Sequence, residues 1–100
     1  MIVWKEPIKF EWDEGNVTKN AKHGLCNQEI EEVFFDKRKL IAYDRKHSDK
    51  EKRHLVIGRT NKQKCVYIVI TVRTGRIRVI SARYMHKKEV ELYEKATNNA

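Results

Sequence analysis

Cys65-Val66-Tyr67-Ile68-Val69-Ile70-Thr71-Val72, then Thr74-Gly75, then Arg76-Ile77-Arg78-Val79-Ile80-Ser81-Ala82-Arg83 is the stretch that decides the fold. The first run is unbroken, apolar and rich in β-branched residues, as a central strand buried on both sides requires. Thr74-Gly75 supplies a tight turn, so a second strand, Arg76–Ser81, pairs back on the first as a hairpin. Strict alternation puts Arg76, Arg78 and Ile80 on one face of that strand and Ile77, Val79 and Ser81 on the other. Arg83 then falls just beyond the strand, where a connection to a helix is expected. Guanidinium groups fixed on a sheet form a grip for something anionic.

Outward from this hairpin the chain reads as α+β. Ile8, Phe10 and Trp12 alternate with Lys9 and Glu11, the pattern of a half-buried strand over Ile8–Trp12. Asp13 offers an N-cap to a first helix that stops at Gly24, with His23 capping its end. Asn27 opens a second helix whose core stripe is Ile30, Val33 and Phe34. Lys39–Tyr43 and Arg53–Ile57 read as strands separated by the polar stretch Asp44–Lys52. His86–Ala96 closes the chain as a helix with Val90, Tyr93 and Ala96 on one face. The expected architecture is an antiparallel sheet with two N-terminal helices and one C-terminal helix packed on it, in a single domain spanning residues 1–100.

The 100 residues carry 22 Lys+Arg and 14 Asp+Glu, a net charge of +8. The charge is unevenly spread: residues 1–36 sum to −4 and residues 37–100 to +12. A basic half of this kind attracts phosphates, and the acidic half is not expected to touch them. Two cysteines, Cys26 and Cys65, make no disulfide framework, and Met1–Trp12 has no signal-peptide pattern. No apolar run approaches membrane-spanning length. A reducing cytosol is the expected compartment, with no membrane partner.

Chemistry concentrates in Arg45-Lys46-His47-Ser48-Asp49-Lys50-Glu51-Lys52-Arg53. Breaking an RNA chain without a metal needs a base for the 2′-hydroxyl proton, a cation for the phosphorane charge and an acid for the leaving 5′-oxygen. His47 or Glu51 could exchange the protons, and Arg53, Arg78 and Arg83 could hold the phosphate. The same loop also reads as a solvated stretch whose charges pair with one another. His23 and Cys26 stand at H-x-x-C spacing, but no second ligand pair accompanies them, so a structural zinc is not expected. Trp4, Phe10 and Trp12 read as packing residues, Tyr67 as packed in the central strand, and Tyr84, directly after Arg83, as ligand-facing. There is no Gly-rich phosphate loop, no serine-nucleophile motif and no carboxylate cluster suited to a metal.

Phe10-Glu11-Trp12-Asp13, Asn16, Asn20 and Lys22-His23-Gly24 resemble the opening of the BrnT-like toxin family. The resemblance continues through Glu29, Val33-Phe34, Asp36, Asp44, His47-Ser48, Glu51, Arg53, Ile57-Gly58, the stretch Ile77–Arg83, Glu89 and Tyr93. It covers nearly the whole chain and departs at Tyr84-Met85-His86, which stand where small residues are common. The resemblance implies a RelE-like ribonuclease fold and a ribonuclease that arrests translation and growth; with the residues above, the expectation is a metal-independent endoribonuclease without cofactor. It implies a type II toxin–antitoxin pair, with a BrnA-like ribbon-helix-helix antitoxin as partner and operator DNA reached only through that antitoxin. The expected catalytic residues are His47, Glu51, Arg53, Arg78 and Arg83, with RNA contacts from Arg59, Arg76, Tyr84 and Lys87. Two other readings stand beside this one. The basic face could bind nucleic acid without cutting it, or could serve chiefly as a protein interface.

Overall fold

The computed structural model describes residues 9–46 and 51–98, with the side chains of residues 16–19 outside the description. Strand β1 (Phe10–Glu11) leads into helices α1 (Glu14–Ala21) and α2 (Asn27–Val33). Strands β2 (Leu40–Tyr43), β3 (His54–Arg59), β4 (Cys65–Arg73) and β5 (Arg76–Tyr84) follow, and helix α3 (Lys87–Asn98) closes the chain. The sheet order is β1-β5-β4-β3-β2. Strands β2 to β5 form an antiparallel meander. The α+β reading therefore holds, but β1 departs from the expected antiparallel sheet. It pairs parallel to β5, with Phe10 opposite Ile77 and Glu11 opposite Arg78. A parallel neighbour requires a crossover, and the two helices and the meander provide it.

The hairpin forms where the sequence put it. Thr74 and Gly75 both have positive φ, 52° and 74°, as a two-residue type I′ turn demands. Helix α2 begins after Cys26, whose N–H donates to the Glu29 carboxylate three residues on (3.3 Å). Gly24, at φ 78°, ends the segment after α1, and the N–H of Leu25 reaches back to the Asn20 carbonyl (3.2 Å).

One face of the sheet carries the core. Val56, Val66, Ile68, Ile70, Ile77, Val79 and Ala82 lie there against Leu25, Ile30, Val33 and Phe34, with Phe10, Trp12 and Ile41 packed at the margin. Gly58 sits on the same face because α2 passes too close for a side chain. A Cβ there would meet Val33 Cγ1 at 2.9 Å and Asp36 Oδ2 at 3.1 Å. The helix layout differs from expectation. Among the described residues, apolar buried side chains come from one helix before the meander, α2 (Ile30, Val33), and one after it, α3 (Tyr93). Among the described side chains of α1, the buried one is polar, Asn20. In α3, Tyr93 is buried but Ala96 is exposed. None of the described helices is long and apolar enough to cross a membrane.

Candidate functional site

The opposite face of the sheet is the one that carries the arginines, and a register shift creates it. Ile70 pairs with Val79 and Val69 with Ser81, so Ile80 is the extra residue of a bulge. Strict alternation would have put Arg78 and Arg83 on opposite faces. One extra residue reverses the parity, and the cross-strand partners of Arg78 and Arg83, Thr71 and Tyr67, are both odd positions of β4. Arg83 is also part of β5 rather than of a connection beyond it. The expected placement of Ser81 opposite Arg78 is corrected for the same reason.

Arg78 and Arg83 are held at two separate stations. Thr71 and Tyr67 are four residues apart along β4, about 13 Å at the usual rise of a strand. At the first station, Arg78 Nη1 lies 2.6 Å from Asp13 Oδ2 and 3.2 Å from Glu11 Oε1. Asp13 first, with Glu11, favours the charged guanidinium, and burial opposes them. The acidic segment before α1 thus reaches the arginine strand, which the charge partition along the sequence did not suggest. Strand pairing explains it, since β1 lies directly beside β5. Thr71 ties this row to the loop before β3, its Oγ1 donating to the Lys52 carbonyl (2.8 Å). Arg53 stands one residue before β3, whose first residue, His54, pairs with Ile70.

At the second station, the Arg83 guanidinium makes a two-pronged pair with Glu89, at 2.7 and 2.8 Å. It also lies 4.1 Å from the centre of the Tyr67 ring. Glu89 is positioned by α3, where its carboxylate also accepts the His86 N–H (2.8 Å) in the first turn. Arg83 holds the Glu89 carboxyl below its ordinary range against the opposing effect of burial. Burial, followed by the Glu89 charge, pushes the Tyr67 phenol up, while Arg83 pulls it down. Tyr67 was expected to be packed in the central strand. It is half-buried, on the arginine face. The bulge is the missing piece, since only the shifted register reveals that Tyr67 and Arg83 are cross-strand partners.

The other expected residues divide. Glu51 is engaged by Arg73, whose Nη2 lies 3.0 Å from its Oε2. His47 lies outside the described residues, as does Trp4. Arg76 and Lys87 are exposed. Tyr84 is on the core face, where its hydroxyl donates to the Gly24 carbonyl (3.3 Å), so it does not share a face with Arg83.

Arg59 belongs to a third cluster, at the end of β3. Its guanidinium lies 5.1 Å from the centre of the Tyr93 ring and 3.8 Å from Glu94 Oε1. Beneath it, Asp36 Oδ2 accepts the Tyr93 hydroxyl (2.6 Å) and the Arg59 N–H (2.9 Å), while Oδ1 accepts the Arg38 N–H (3.0 Å). Burial pushes the Asp36 carboxyl up, but the Tyr93 hydroxyl and these two N–H groups outweigh it and leave it lowered. Burial and the Asp36 carboxylate push the Tyr93 phenol up to about 12. Asp36 thereby ties the end of α2 to β3 and α3.

Such a face can hold a polyanion by exchanging its internal carboxylates for phosphates. The two stations, about 13 Å apart along the strand, suit an extended chain better than a single small anion. A comparison with curated proteins finds no match. A family model described as "Ribonuclease toxin, BrnT, of type II toxin-antitoxin system" matches residues 12–89. That span runs from the segment that pairs with Arg78 to the carboxylate that pairs with Arg83, and takes in every strand of the meander. The chain belongs to the BrnT family of ribonuclease toxins of type II toxin–antitoxin systems.

Proposed function

We propose that the protein is a metal-independent endoribonuclease whose arginine-bearing sheet face holds the RNA strand. The observation that carries this reading is the bulge at Ile80, because it gathers Arg78 and Arg83 on one face. In this reading the 2′-oxygen bonds to the adjacent phosphorus and the bond from phosphorus to the 5′-oxygen breaks. Glu51 or His47 takes the 2′-proton or supplies one to the leaving oxygen. Arg53 and Arg78 stabilise the added charge on the phosphorane. Arg83 holds a phosphate farther along the strand. Positioning carries much of the rate at such a site.

Glu11, Asp13 and Glu89 occupy the guanidinium groups until phosphate replaces them. The partner is a BrnA-like ribbon-helix-helix antitoxin in the cytosol, and the complex represses its own operon, touching operator DNA only through the antitoxin. The exposed Arg76 and Lys87 are contacts for RNA or for that antitoxin. The meander with flanking helices supports a RelE-like fold.

The test is to incubate purified, antitoxin-free protein with RNA in EDTA. Cleavage to 2′,3′-cyclic or 3′-phosphate ends is expected, and Arg83→Ala should abolish both cleavage and growth arrest while leaving the protein folded. Full toxicity of Arg83→Ala would sink the site assignment. The carboxylate pairing of both arginines also suits a second reading, a module that binds RNA without cutting it. RNA that shifts in a gel but stays intact marks that outcome.

A further inference from the structure

We infer that the cleft beside Arg59 is a nucleotide subsite, separate from the arginine face, that takes one base and phosphate of single-stranded RNA. The cleft measures about 560 Å³ and lies between the end of α2, the β3–β4 turn and α3. Adjacent phenylalanines end α2 in opposite ways. Phe34 is 2% exposed and fills the core, whereas Phe35 is 58% exposed and lines the cleft. Lys37 and Arg38 stand beside Phe35, with Arg59 on another wall and the side-chain amides of Asn61 and Gln63 completing the lining. An open aromatic ring, cations and amide groups are the parts single-stranded RNA recognition uses: a stacking surface, phosphate partners and hydrogen bonds to a base edge.

The carboxylates of the cleft leave the cations available. Asp36 is taken up by the Tyr93 hydroxyl and by the backbone N–H groups of Arg38 and Arg59. Glu32 accepts the Asn61 N–H (3.0 Å). These bonds fix the walls without pairing to the side chains of Lys37 or Arg38. Arg59 lies over the Tyr93 ring (5.1 Å) and beside Cys65, with a long contact, 3.8 Å, to the half-exposed Glu94, and its Nε is buried without an acceptor among the described residues. Gln63 sits at φ 66°, a left-handed conformation uncommon for this residue. The Thr60 hydroxyl holds the turn by accepting the Lys64 N–H (3.2 Å).

This inference rests on the protein acting on RNA, and its test separates the two. Antitoxin-free protein is titrated with a 2′-O-methyl RNA hexamer, which binds but lacks the attacking hydroxyl, and separately with AMP. Backbone amide shifts are followed by NMR. The hexamer should move the amides of Phe35, Arg38, Asn61 and Gln63. Phe35→Ala should weaken hexamer binding about tenfold, given what stacking on one aromatic ring contributes. On cleavable RNA, the same variant should raise KM with kcat unchanged and the melting temperature intact, and Arg38→Glu should repeat the pattern. Cleft amides unmoved by the hexamer, or unchanged affinity in both variants, overturn the inference. So does AMP binding without hexamer binding, which would make the cleft a free-nucleotide site. If the hexamer fills the cleft but natural RNA stays intact, the cleavage reading fails and the subsite stands. RNA cut normally with a silent cleft gives the reverse.

Discussion

Replacing Asp36 by asparagine tests the junction that joins α2, β3 and α3. The carboxylate receives three hydrogen bonds, from Tyr93 Oη at 2.6 Å, the Arg59 N–H at 2.9 Å and the Arg38 N–H at 3.0 Å. Asparagine keeps one acceptor oxygen and turns the other into a donor. Its best orientation retains the Tyr93 and Arg59 bonds, without their charge assistance, and sets its NH₂ group against the N–H of exposed Arg38. A hydrogen bond to a charged group contributes roughly 1 kcal/mol more than a neutral one, so the two retained bonds and the lost third total about 2–3 kcal/mol of destabilisation. For a chain of this length that lowers the melting temperature by about 10–20 °C. Thermal and urea denaturation at pH 7 read the effect directly. Tyr93→Phe should cost less, about 1–2 kcal/mol, because the carboxylate keeps its other two donors. The double variant should show coupling of about 1 kcal/mol between the two sites. The pH dependence has a definite sign. The folded Asp36 carboxyl titrates below its ordinary range, so its contribution is present above the unfolded pKa and is lost as pH falls through the folded value. Asp36→Asn should therefore flatten the acid limb of the stability profile. A melting temperature within about 3 °C of the parent, with an unchanged acid limb, would refute the account of Asp36 as the bolt of this junction.

Gly58→Ala should destabilise by about 1–3 kcal/mol, because its Cβ would press on Val33 and Asp36 from the backbone of a central strand; denaturant midpoints give the measure, and a neutral result would show that α2 can move away. Thr74→Asn should stabilise by about 0.5–1 kcal/mol. The β-branched threonine sits at φ 52° in the type I′ turn, whereas asparagine tolerates that region, so a loss of stability would refute the turn assignment. Deleting Ile80 should leave Arg78 and Arg83 on the same face, since it is the unpaired residue of the bulge. The cost is about 1 kcal/mol for a half-buried isoleucine, and RNA cleavage should persist; a folded but inactive deletion variant would show that the bulge does more than set parity.

The sequence alone determined much of this protein. The run from Cys65 to Val72, the Thr74-Gly75 turn and the helix signals at Gly24 and Asn27 are local features, carried by side-chain period and by backbone preference at single positions. They placed the hairpin, the strands of the meander and all three helical segments to within a few residues. The ordered set of residues from Phe10 to Tyr93 pointed to the family. Tertiary structure decided what lies across from what. The bulge at Ile80 depends on β4 as a template, and alternation counted along β5 alone assigned Ser81 to the wrong face and left Arg83 beyond the strand. Tyr67 lies under Arg83, and Tyr84 faces away, for the same reason. The parallel pairing of β1 with β5 closes a separation of 67 residues between Glu11 and Arg78. No spacing in the sequence signals that contact, because the free energy that holds β1 there comes from burying Phe10 and Trp12 against a core assembled from the rest of the chain. Glu51 illustrates the same limit: its place beside Arg53 in sequence gave no sign that Arg73, on another strand, would engage it.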